Sequence, residues 1–576
     1  YETPKPPPYV APPDTGTWLS DPSQRDEFCV RHGPNTEVFW HDGQREPVLD
    51  YGGSREKAEG IQWCSHYMQW SPSGSYMATI VPAKGVIVWG GENYEKLSRF
   101  PHTGVDAVVF SPGEKYMLTN NFSPDAKDAI KIFEVTSGRL LRAFPLYPDG
   151  VAPEEDRAPP SFEWSHDDSY IARLGKDLIS IYTLPDCKLL GKKSLLADGC
   201  AEFQWSPAAN VLAFWCPEQG NAPAHVDLIS IPTRKQMRQK NLFNVSKCNM
   251  SWSTDGEFLG VKVLRHTRTK KTVFNNFELF RVNAPGVPVE MLDIKDAVMA
   301  FGWEPGGTRF ALVHAENKSA TRANVSFYDM NKEMEVEVKA QRGKNPRKAY
   351  TKTEVVQELN LVTTLKDRQC NTLYWSPAGN MIVLASLGES SSGSLEFYDV
   401  SAGEVLAVRE HYRATEVVWD PSGRTLATCV VQPLAGGYFK FAMDNGYIIW
   451  GSQGKQLFQQ AYELFYQFAW RPRKCLLGKE EKKEVVKNLK KYERNFDKAD
   501  KERTKQLQLE MTKEKREQRK VFRDRLADLK EFYRKQHADR VALNGYDSDD
   551  DNNYSYTQAV HETVLESKEI TVNSWA

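Results

Sequence analysis

Three groups of basic residues are the part of this sequence best suited to binding chemistry, and the chemistry they suit is contact with phosphate groups. Each group places four or five Lys and Arg residues within ten positions, in segments that we expect to be loops between strands. Such clusters neutralise RNA phosphates, although solvated loops also carry them, and no aromatic-rich RNA-binding motif accompanies these. The groups are Arg234, Lys235, Arg238 and Lys240; Arg265, Arg268, Lys270 and Lys271; and Lys339, Arg342, Lys344, Arg347 and Lys348. We take the second group and the last four members of the third as candidate ribosome or RNA contacts.

A second candidate surface is a stripe of large apolar residues in a charged segment near the C-terminus. Residues 479–540 contain 22 basic and 14 acidic residues, and no Pro or Gly occurs in 479–541, which favours a helix. The apolar residues are spaced by four, three and four positions and therefore share one helical face. A solvated helix gains nothing from such an alignment, so we expect a partner with an apolar groove and an acidic rim. The face comprises Val485, Leu489, Tyr492 and Phe496 with Lys490 and Lys491 beside it, and a later stripe comprises Phe522, Leu526, Leu529 and Tyr533.

The sequence lacks the motifs of the common enzyme classes. Gly454-Lys455 is followed by Gln and has no Gly five residues earlier, so it is not a P-loop, and neither GxSxG nor HExxH occurs. The 11 His residues are isolated, and the nine Cys residues show neither CxxC nor zinc-ligand spacing with His. One further class of enzyme, the peptidases that combine a β-propeller with a catalytic domain, would also need roughly 200 residues for that domain. We therefore predict a protein that is not an enzyme and has no cofactor, metal or small-molecule substrate.

The elements that position these candidate sites form a repeat. An apolar strand ends in an aromatic residue, Ser-Pro or a close variant follows, and a second apolar strand comes next. The spacings between the aromatic anchors run from 40 to 72 residues, which is the four-stranded blade period of a β-propeller lengthened by loops. We expect each anchor to pack between neighbouring blades. The anchors are Trp70, Phe110, Trp164, Trp205, Trp252, Trp303, Trp375, Trp419 and Trp470.

A second recurring phrase indicates how the ring closes. Apolar strands such as those at 85–89, 129–133 and 447–450 follow the first eight anchors, but none follows Trp470. The ninth copy, TEVFWHD at 36–42, lies near the N-terminus instead. We therefore predict an all-β fold, a nine-bladed WD40-like propeller whose last blade takes its inner strand from 462–470 and its outer strands from about 26–50, followed by a long charged helical extension.

Composition also indicates how the chain divides into segments. Of 576 residues, 40% are hydrophobic, and no apolar run approaches the roughly 18 residues needed to cross a bilayer. The chain starts without Met on a Pro-rich segment, so we expect it to belong to a longer protein. We predict a Pro-rich linker at 1–25, the propeller at 26–478, a partner-binding helix at 479–543, and an acidic, largely disordered tail at 544–576 with Ser548 as a phosphorylation candidate.

Several longer strings resemble one family. EFCVRHGPNTEVFWHDG (27–43), GVIVWGGENYEKLSRFPHTGVDAVVFSPGEKYMLT (85–119), YELFYQFAWRPR (462–473) and VVKNLKKYERNFDKAD (485–500) resemble the b subunit of eukaryotic translation initiation factor 3. The likeness spans essentially the whole chain, including the order of propeller and helix.

The resemblance implies a cytoplasmic, non-catalytic scaffold of translation initiation. In that family an RNA-recognition-motif domain precedes the propeller, the propeller meets the small ribosomal subunit and its rRNA, and the helix holds the i and g subunits. The family's i-binding segment corresponds to Leu489, Lys490, Lys491, Tyr492 and Phe496. Implied partners are the a, g and i subunits and other initiation factors. Two alternatives stay open: a related single-chain propeller initiation factor, and a generic WD-repeat scaffold.

Overall fold

The computed structural model divides the chain into two units, Tyr1–Leu476 and Leu477–Ala576, which are described separately. The predicted linker at 1–25 and tail at 544–576 lie largely outside the described residues, and Ser548 lies wholly outside them. The described residues are 25–81, 84–91, 93–123, 126–146, 161–220, 222–266, 273–317, 320–338, 350–388, 391–433, 444–473, 479–547 and 559–560.

The first unit begins with three antiparallel strands and a short helix, followed by eight sheets that we call blades one to eight. The opening elements are β1 (Asp26–His32), β2 (Asn35–His41), β3 (Val48–Tyr51) and α1 (Ser54–Ala58). Blade one contains β4 (Met68–Trp70), β5 (Tyr76–Val81), β6 (Gly85–Gly90) and β7 (Glu95–Phe100). Blade two contains β8 (Ala107–Phe110), β9 (Tyr116–Asn120), β10 (Ile130–Glu134) and β11 (Leu140–Phe144).

Blades three to five follow the same order, from the innermost strand outward. Blade three contains β12 (Phe162–Trp164), β13 (Tyr170–Leu174), β14 (Leu178–Thr183), β15 (Lys188–Leu189) and, also paired with β14, β16 (Leu195–Leu196). Blade four contains β17 (Glu202–Trp205), β18 (Val211–Cys216), β19 (Ala224–Ser230) and β20 (Lys235–Leu242). Blade five contains β21 (Val245–Trp252), β22 (Phe258–His266), β23 (Val273–Arg281) and β24 (Val289–Ile294).

Blade six is interrupted by a separate hairpin. Its four strands are β25 (Ala297–Trp303), β26 (Arg309–Ala315), β27 (Ala323–Asp329) and the outer strand β30 (Asn360–Arg368). Between β27 and β30 the chain forms the hairpin, in which β28 (Lys332–Val338) pairs with β29 (Tyr350–Val356). Blade seven contains β31 (Thr372–Trp375), β32 (Met381–Ala385), β33 (Ser394–Asp399) and β34 (Glu404–Glu410). Blade eight contains β35 (Glu416–Trp419), β36 (Thr425–Val430), β37 (Gly446–Gly451) and β38 (Gln456–Ala461).

A ninth blade joins both ends of the first unit. Its inner strand is β39 (Phe465–Trp470), which pairs antiparallel with β1, and β2 and β3 complete the sheet. The register sets Phe28 opposite Trp470 and Val30 opposite Phe468. The predicted nine-bladed propeller is therefore confirmed.

The core lies between the blades, and the strand sequences show why. The two middle strands of a blade are covered on both faces by neighbouring blades, so β6 (GVIVWG) is buried along its whole length. The outer strands face solvent, and β7 (EKLSRF) fully buries only Phe100. One cluster illustrates the arrangement, since it packs Val86 and Val88 of blade one against Phe110 and Met117 of blade two.

The serine of the Trp-Ser-Pro phrase stabilises the turn between the first two strands of a blade. Its hydroxyl oxygen accepts a hydrogen bond from the backbone N–H five residues later, where the second strand starts. The pairs are Tyr76 to Ser71 at 2.9 Å, Tyr116 to Ser111 at 3.0 Å, Tyr170 to Ser165 at 2.9 Å and Phe258 to Ser253 at 3.0 Å.

The tryptophan of the phrase connects several blades to the one before them. In four consecutive blades the indole N–H donates to a backbone carbonyl on the inner strand of the preceding blade. The bonds run from Trp303 to Ser251 and Trp375 to Gly302, both at 3.0 Å, and from Trp419 to Tyr374 and Trp470 to Val418, both at 3.1 Å. The predicted packing of the anchors between blades is confirmed for these positions.

Ion pairs and hydrogen bonds hold the ninth blade in place. The Arg471 guanidinium pairs with the Glu27 carboxylate, whose other oxygen accepts a 2.8 Å hydrogen bond from the Tyr94 hydroxyl of the segment between β6 and β7. The Arg471 Nε also donates to the Gly74 carbonyl of blade one at 2.7 Å. Asp26 pairs with Arg424 of blade eight at 2.9 Å. The first and last strand segments of the propeller are thus bonded to each other and to blades one and eight on either side.

The second unit is helical, as the sequence predicts, and its described helices are separated by two short interruptions. Its elements are α2 (Lys479–Lys487), α3 (Leu489–Lys535) and α4 (His537–Asn544). At Asn488 the side-chain amide donates to the Glu484 carbonyl at 3.1 Å, and Lys491 N–H donates to the Asn488 carbonyl three residues back at 2.9 Å. This tighter turn marks the interruption between α2 and α3.

Candidate interaction sites

The propeller presents two opposite faces, because the strands of each blade alternate in direction. One face, which we call the serine-turn face, carries the connections from the first to the second strand and from the third to the fourth, including the turn at Ser71. The other, which we call the opposite face, carries the connections from the second to the third strand and from each blade to the next. Every candidate loop of the propeller can be assigned to one face from the strands that flank it.

The first basic group is on strand and turn, not in a loop as predicted. Arg234 lies in the turn before β20, where its Nη2 donates to the Leu190 carbonyl at 2.6 Å, so it holds blade four against blade three. Lys235, Arg238 and Lys240 lie within β20 itself. The basic residues are close in sequence because they lie on one outer strand, whose side chains alternate between its two faces, and not because they form a loop.

Arg265, from the second group, is also a strand residue, which corrects its predicted loop position. It lies near the end of β22, and its Nη2 is 2.9 Å from Glu278, a carboxylate on β23 that is only 1% exposed. Lys240 approaches the same carboxylate at 3.4 Å. Glu278 therefore neutralises much of the charge that Arg265 was predicted to offer. The other members of the group, Arg268, Lys270 and Lys271, lie outside the described residues.

The third group lies outside the described residues, but its position in the chain is defined. Arg342, Lys344, Arg347 and Lys348 fall between β28 and β29, which pair over seven residues from Lys332 opposite Val356 to Val338 opposite Tyr350. That hairpin interrupts a connection between third and fourth strands, so its strands leave blade six from the serine-turn face. The second group falls between β22 and β23, the second and third strands of blade five. The two groups therefore interrupt different connections in the chain, one between second and third strands and one between third and fourth strands.

An exposed aromatic residue that the sequence analysis missed lies beside the second group. Phe243, in the turn between β20 and β21, is 63% exposed, and its carbonyl accepts a 3.0 Å hydrogen bond from Arg265 Nη1. Asn244 follows it with a φ of 55°, which turns the chain sharply. Nothing in the local pattern marks Phe243, because a single aromatic at a strand end is ordinary core sequence until the turn exposes it.

The predicted apolar face of the C-terminal helix crosses the interruption at Asn488. Val485 belongs to α2 and is half-buried, whereas Leu489 begins α3 and is 56% exposed, with Lys490 and Lys491 exposed beside it. Tyr492 and Phe496 lie within α3, but their side chains are outside what the structure describes.

The later stripe of α3 is exposed along its length. Phe522, Leu526, Leu529 and Tyr533 are 66, 40, 50 and 55% exposed, respectively. The Arg540 guanidinium of α4 lies 4.5 Å from the centre of the Tyr533 ring and donates to the Tyr533 carbonyl at 2.9 Å. This contact covers one end of the stripe and ties α4 to α3 across the interruption at Gln536.

Two further groups have altered acidity without forming a reactive site. Burial and the nearby Glu202 raise the pKa of Glu163 on β12 to about 7, and the Trp205 N–H of blade four donates to Glu163 at 3.3 Å. This carboxyl connects two blades. Burial also raises the pKa of the Cys370 thiol to about 12, which keeps it protonated.

Metal clusters and membrane-spanning helices are both absent from the described part of the chain. Within the residue ranges given for the fold, His, Cys, Asp and Glu do not gather in groups of three or more that could hold a metal ion. Among the helices that the structure describes, none is long and apolar enough to span a membrane.

Comparisons with known proteins identify relatives over nearly the whole chain. The family model described as "Eukaryotic translation initiation factor eIF2A" matches residues 240–468. The b subunit of eukaryotic translation initiation factor 3 from Xenopus laevis is 36% identical over 540 residues, which cover 92% of this chain and 71% of that protein. The corresponding protein of Arabidopsis thaliana is 38% identical over 550 residues, 91% of this chain and 70% of that protein.

A solved structure shows the same fold. A crystal structure described as a eukaryotic initiation factor superposes with a TM-score of 0.58 at 22% identity, covering 78% of this chain and 99% of that one. The sequence identity to the Xenopus and Arabidopsis proteins, which extends over more than nine-tenths of this chain, goes further than the fold. The chain belongs to the family formed by the b subunits of eukaryotic translation initiation factor 3.

Proposed function

We propose that this chain is a non-catalytic scaffold subunit of the eukaryotic translation initiation factor 3 complex in the cytoplasm. It joins the a, g and i subunits, other initiation factors and the small ribosomal subunit during preinitiation complex assembly and mRNA recruitment. Family membership carries the proposal, and the architecture supports it: a closed propeller and a long helical unit offer two separate binding bodies. The division into linker, propeller, helix and tail at residues 25, 478 and 543 is part of this proposal.

The helical unit is the docking site for the i and g subunits in this proposal. Leu489 at the start of α3 is 56% exposed, and the sequence places Val485, Tyr492 and Phe496 at helical spacing around it. Large apolar side chains exposed on a charged helix indicate an apolar groove on the partner, and Lys490 and Lys491 indicate an acidic rim.

A pair of variants tests the helix assignment. Truncating one buried aromatic anchor costs about 2 kcal/mol or more, which is about 30-fold in affinity, so Tyr492→Ala with Phe496→Ala is expected to reduce the affinity for the i subunit at least about 30-fold. Calorimetric titration of the i subunit against the full chain measures this, with Phe522→Ala and Leu526→Ala on the later stripe as the matched control. If the control loses affinity and the first variant does not, the later stripe is the docking site.

The propeller contacts ribosomal RNA in this proposal through the loop that joins β22 to β23. Phe243 supports it, because an exposed ring beside basic residues suits stacking on an unpaired base. The exposed Lys247 on β21 adds a positive charge in the same blade. In this proposal Arg342, Lys344, Arg347 and Lys348, between β28 and β29 in the chain, form a second, independent contact.

Salt titration separates the two kinds of contact. Charge reversal of Arg268, Lys270 and Lys271 is expected to lower the salt slope of binding to small ribosomal subunits by about 0.7 to 0.9 for each phosphate interaction removed. Phe243→Ala is expected to weaken binding by about 1 to 3 kcal/mol without changing the slope. The control is Phe122→Ala, which removes an aromatic of 46% exposure in blade two. Unchanged binding by the charge-reversal variant at every salt concentration would remove this loop from the contact surface.

A further inference from the structure

A cavity of about 270 Å³ lies between blades three and four. One wall comes from the end of β16 and the connection that follows it, and the other comes from blade four and the connection between β18 and β19. Both connections belong to the opposite face of the propeller, so the cavity lies at that face. The lining residues that bear on ligand binding are Leu196, Asp198, Phe214, Gln219, His225 and Asp227.

The inner wall of this cavity carries two polar side chains where apolar ones are usual. β19 is a middle strand of blade four, and such strands are apolar when neighbouring blades cover both of their faces. His225 and Asp227 nevertheless lie on β19, and the side chain of Asp227 is only 10% exposed. Burial raises the pKa of the Asp227 carboxyl, which indicates that its neighbours within the chain do not fully compensate a negative charge there.

The hydrogen bonds of these two residues set two acceptor atoms side by side. Asp227 Oδ1 accepts a 2.8 Å hydrogen bond from Gln236 Nε2. His225 Nδ1 is 3.0 Å from the Pro223 carbonyl oxygen, so in the neutral ring Nδ1 carries the proton and Nε2 is an acceptor. That Nε2 lies 3.5 Å from Asp227 Oδ2. An N–H donor entering the cavity can therefore bond both atoms, and a positively charged donor also compensates the carboxylate.

The other lining residues define which cation fits. Asp198 and Gln219 are exposed on the two connections and add acceptor oxygens, whereas neither Lys nor Arg is among the described lining residues. Phe214, which is opposite Asp227 in the register of β18 and β19, adds an aromatic side chain. A guanidinium presents five N–H donors in a planar fork and stacks on aromatic rings, so it suits several acceptors beside a phenyl ring better than the ammonium of Lys does. The same acidic lining repels phosphate.

We propose that this cavity binds the arginine side chain of a partner protein. The guanidinium donates to Asp227 Oδ2 and His225 Nε2, and Asp198 supplies a second carboxylate. Leu196, which is 81% exposed, offers an apolar contact to the residue next to the arginine. A free arginine molecule would bring its own carboxylate toward Asp198, which favours a side chain within a polypeptide. The proposal rests on the propeller alone and stands apart from the helix and RNA contacts proposed above.

Saturation-transfer NMR of the full chain with small synthetic probes tests this site. The probe is the tripeptide Leu-Arg-Gly, acetylated and amidated at its ends, and the control peptide carries citrulline, which has nearly the shape of arginine without its charge. The arginine peptide is expected to bind with a Kd at least about tenfold lower than that of the citrulline peptide, because its hydrogen bonds to carboxylates are charge-assisted.

Three variants of the protein locate the binding. Asp227→Asn is expected to weaken binding of the arginine peptide about tenfold or more, and urea-induced unfolding checks that the fold is kept, since an amide has the shape of the carboxylate. Asp198→Asn changes an exposed residue and is expected to weaken binding up to about fivefold. The matched control is Asp186→Asn, which removes the same charge from a side chain of 62% exposure in the turn between β14 and β15, and is expected to leave binding unchanged.

Three results would overturn the proposal. One is equal binding of the arginine and citrulline peptides, or unchanged binding of the arginine peptide by folded Asp227→Asn. Another is an equal loss of affinity in Asp186→Asn, which would show general attraction to acidic residues on the propeller. The third is binding of agmatine, a guanidinium compound without a peptide backbone, as tight as that of the peptide, which would assign the cavity to a small-molecule cation.

Discussion

The buried pair between Glu27 and Arg471 yields the most decisive test of how this propeller closes. Both side chains are nearly inaccessible, at 1 and 5% exposure, and they come from opposite ends of the first unit. Burial raises the pKa of the Glu27 carboxyl despite the attraction of Arg471, which means that desolvation exceeds the Coulombic gain. The pair thus matters less for its net energy than for the cost of leaving one partner alone.

Removing either partner is expected to cost about 3 to 5 kcal/mol, because an uncompensated charge stays buried. In Arg471→Met the lone carboxylate can take up a proton, and its folded pKa then rises further above the unfolded value. The loss in the free energy of unfolding is therefore largest at pH 8, and it becomes smaller as the pH falls through the raised pKa of Glu27. In Glu27→Gln the guanidinium cannot lose its proton, so its cost is the same at pH 8 and pH 5.5.

Urea-induced unfolding, followed by Trp fluorescence at both pH values, measures these costs. The double variant Glu27→Gln with Arg471→Met is expected to be closer to wild type than either single variant, since no buried charge remains. If the single variants each cost less than about 1 kcal/mol, or if their costs simply add, the buried pair does not hold the closing blade.

Two further predictions concern the core of blade eight and the turns between blades. Burial lowers the pKa of His411, whose Nδ1 is 2.7 Å from the Thr428 hydroxyl, to about 4. Because the unfolded pKa is about 6.5, His411 is expected to remove up to about 3 kcal/mol of stability as the pH drops from 6.5 to 4, and the difference between wild type and His411→Gln in urea titrations measures this contribution. Gly423 has a φ of +72°, and an added Cβ would lie 2.4 Å from the Ser376 Oγ of the preceding blade. Gly423→Ala is therefore expected to lower the free energy of unfolding by about 1 to 3 kcal/mol more than Gly306→Ala, where φ is +69° and the space is open. Equal losses in the two alanine variants would show that backbone conformation, not contact between blades, sets the cost.

The sequence by itself determined the architecture of the propeller. Nine aromatic anchors at blade spacing predicted nine sheets, and the displaced copy at 36–42 predicted a blade built from both ends. The prediction of the propeller succeeded because its signals are local and repeated. Trp470 and Trp419 pack against equivalent neighbours, and the same pattern of apolar strands therefore occurs nine times in the sequence. The absence of Pro and Gly likewise predicted the helical unit, which has an interruption at Asn488.

The tertiary structure alone decided what the charged and exposed residues do. Arg265 and Arg234 belong to basic clusters in sequence, yet one pairs with buried Glu278 and the other binds a carbonyl of blade three. Phe243 and Val408 look like core residues and are exposed. Core positions follow from periodicity because burial repeats along a strand, but an ion pair or an exposed edge depends on residues far apart in the chain, which only the packing of blades brings together.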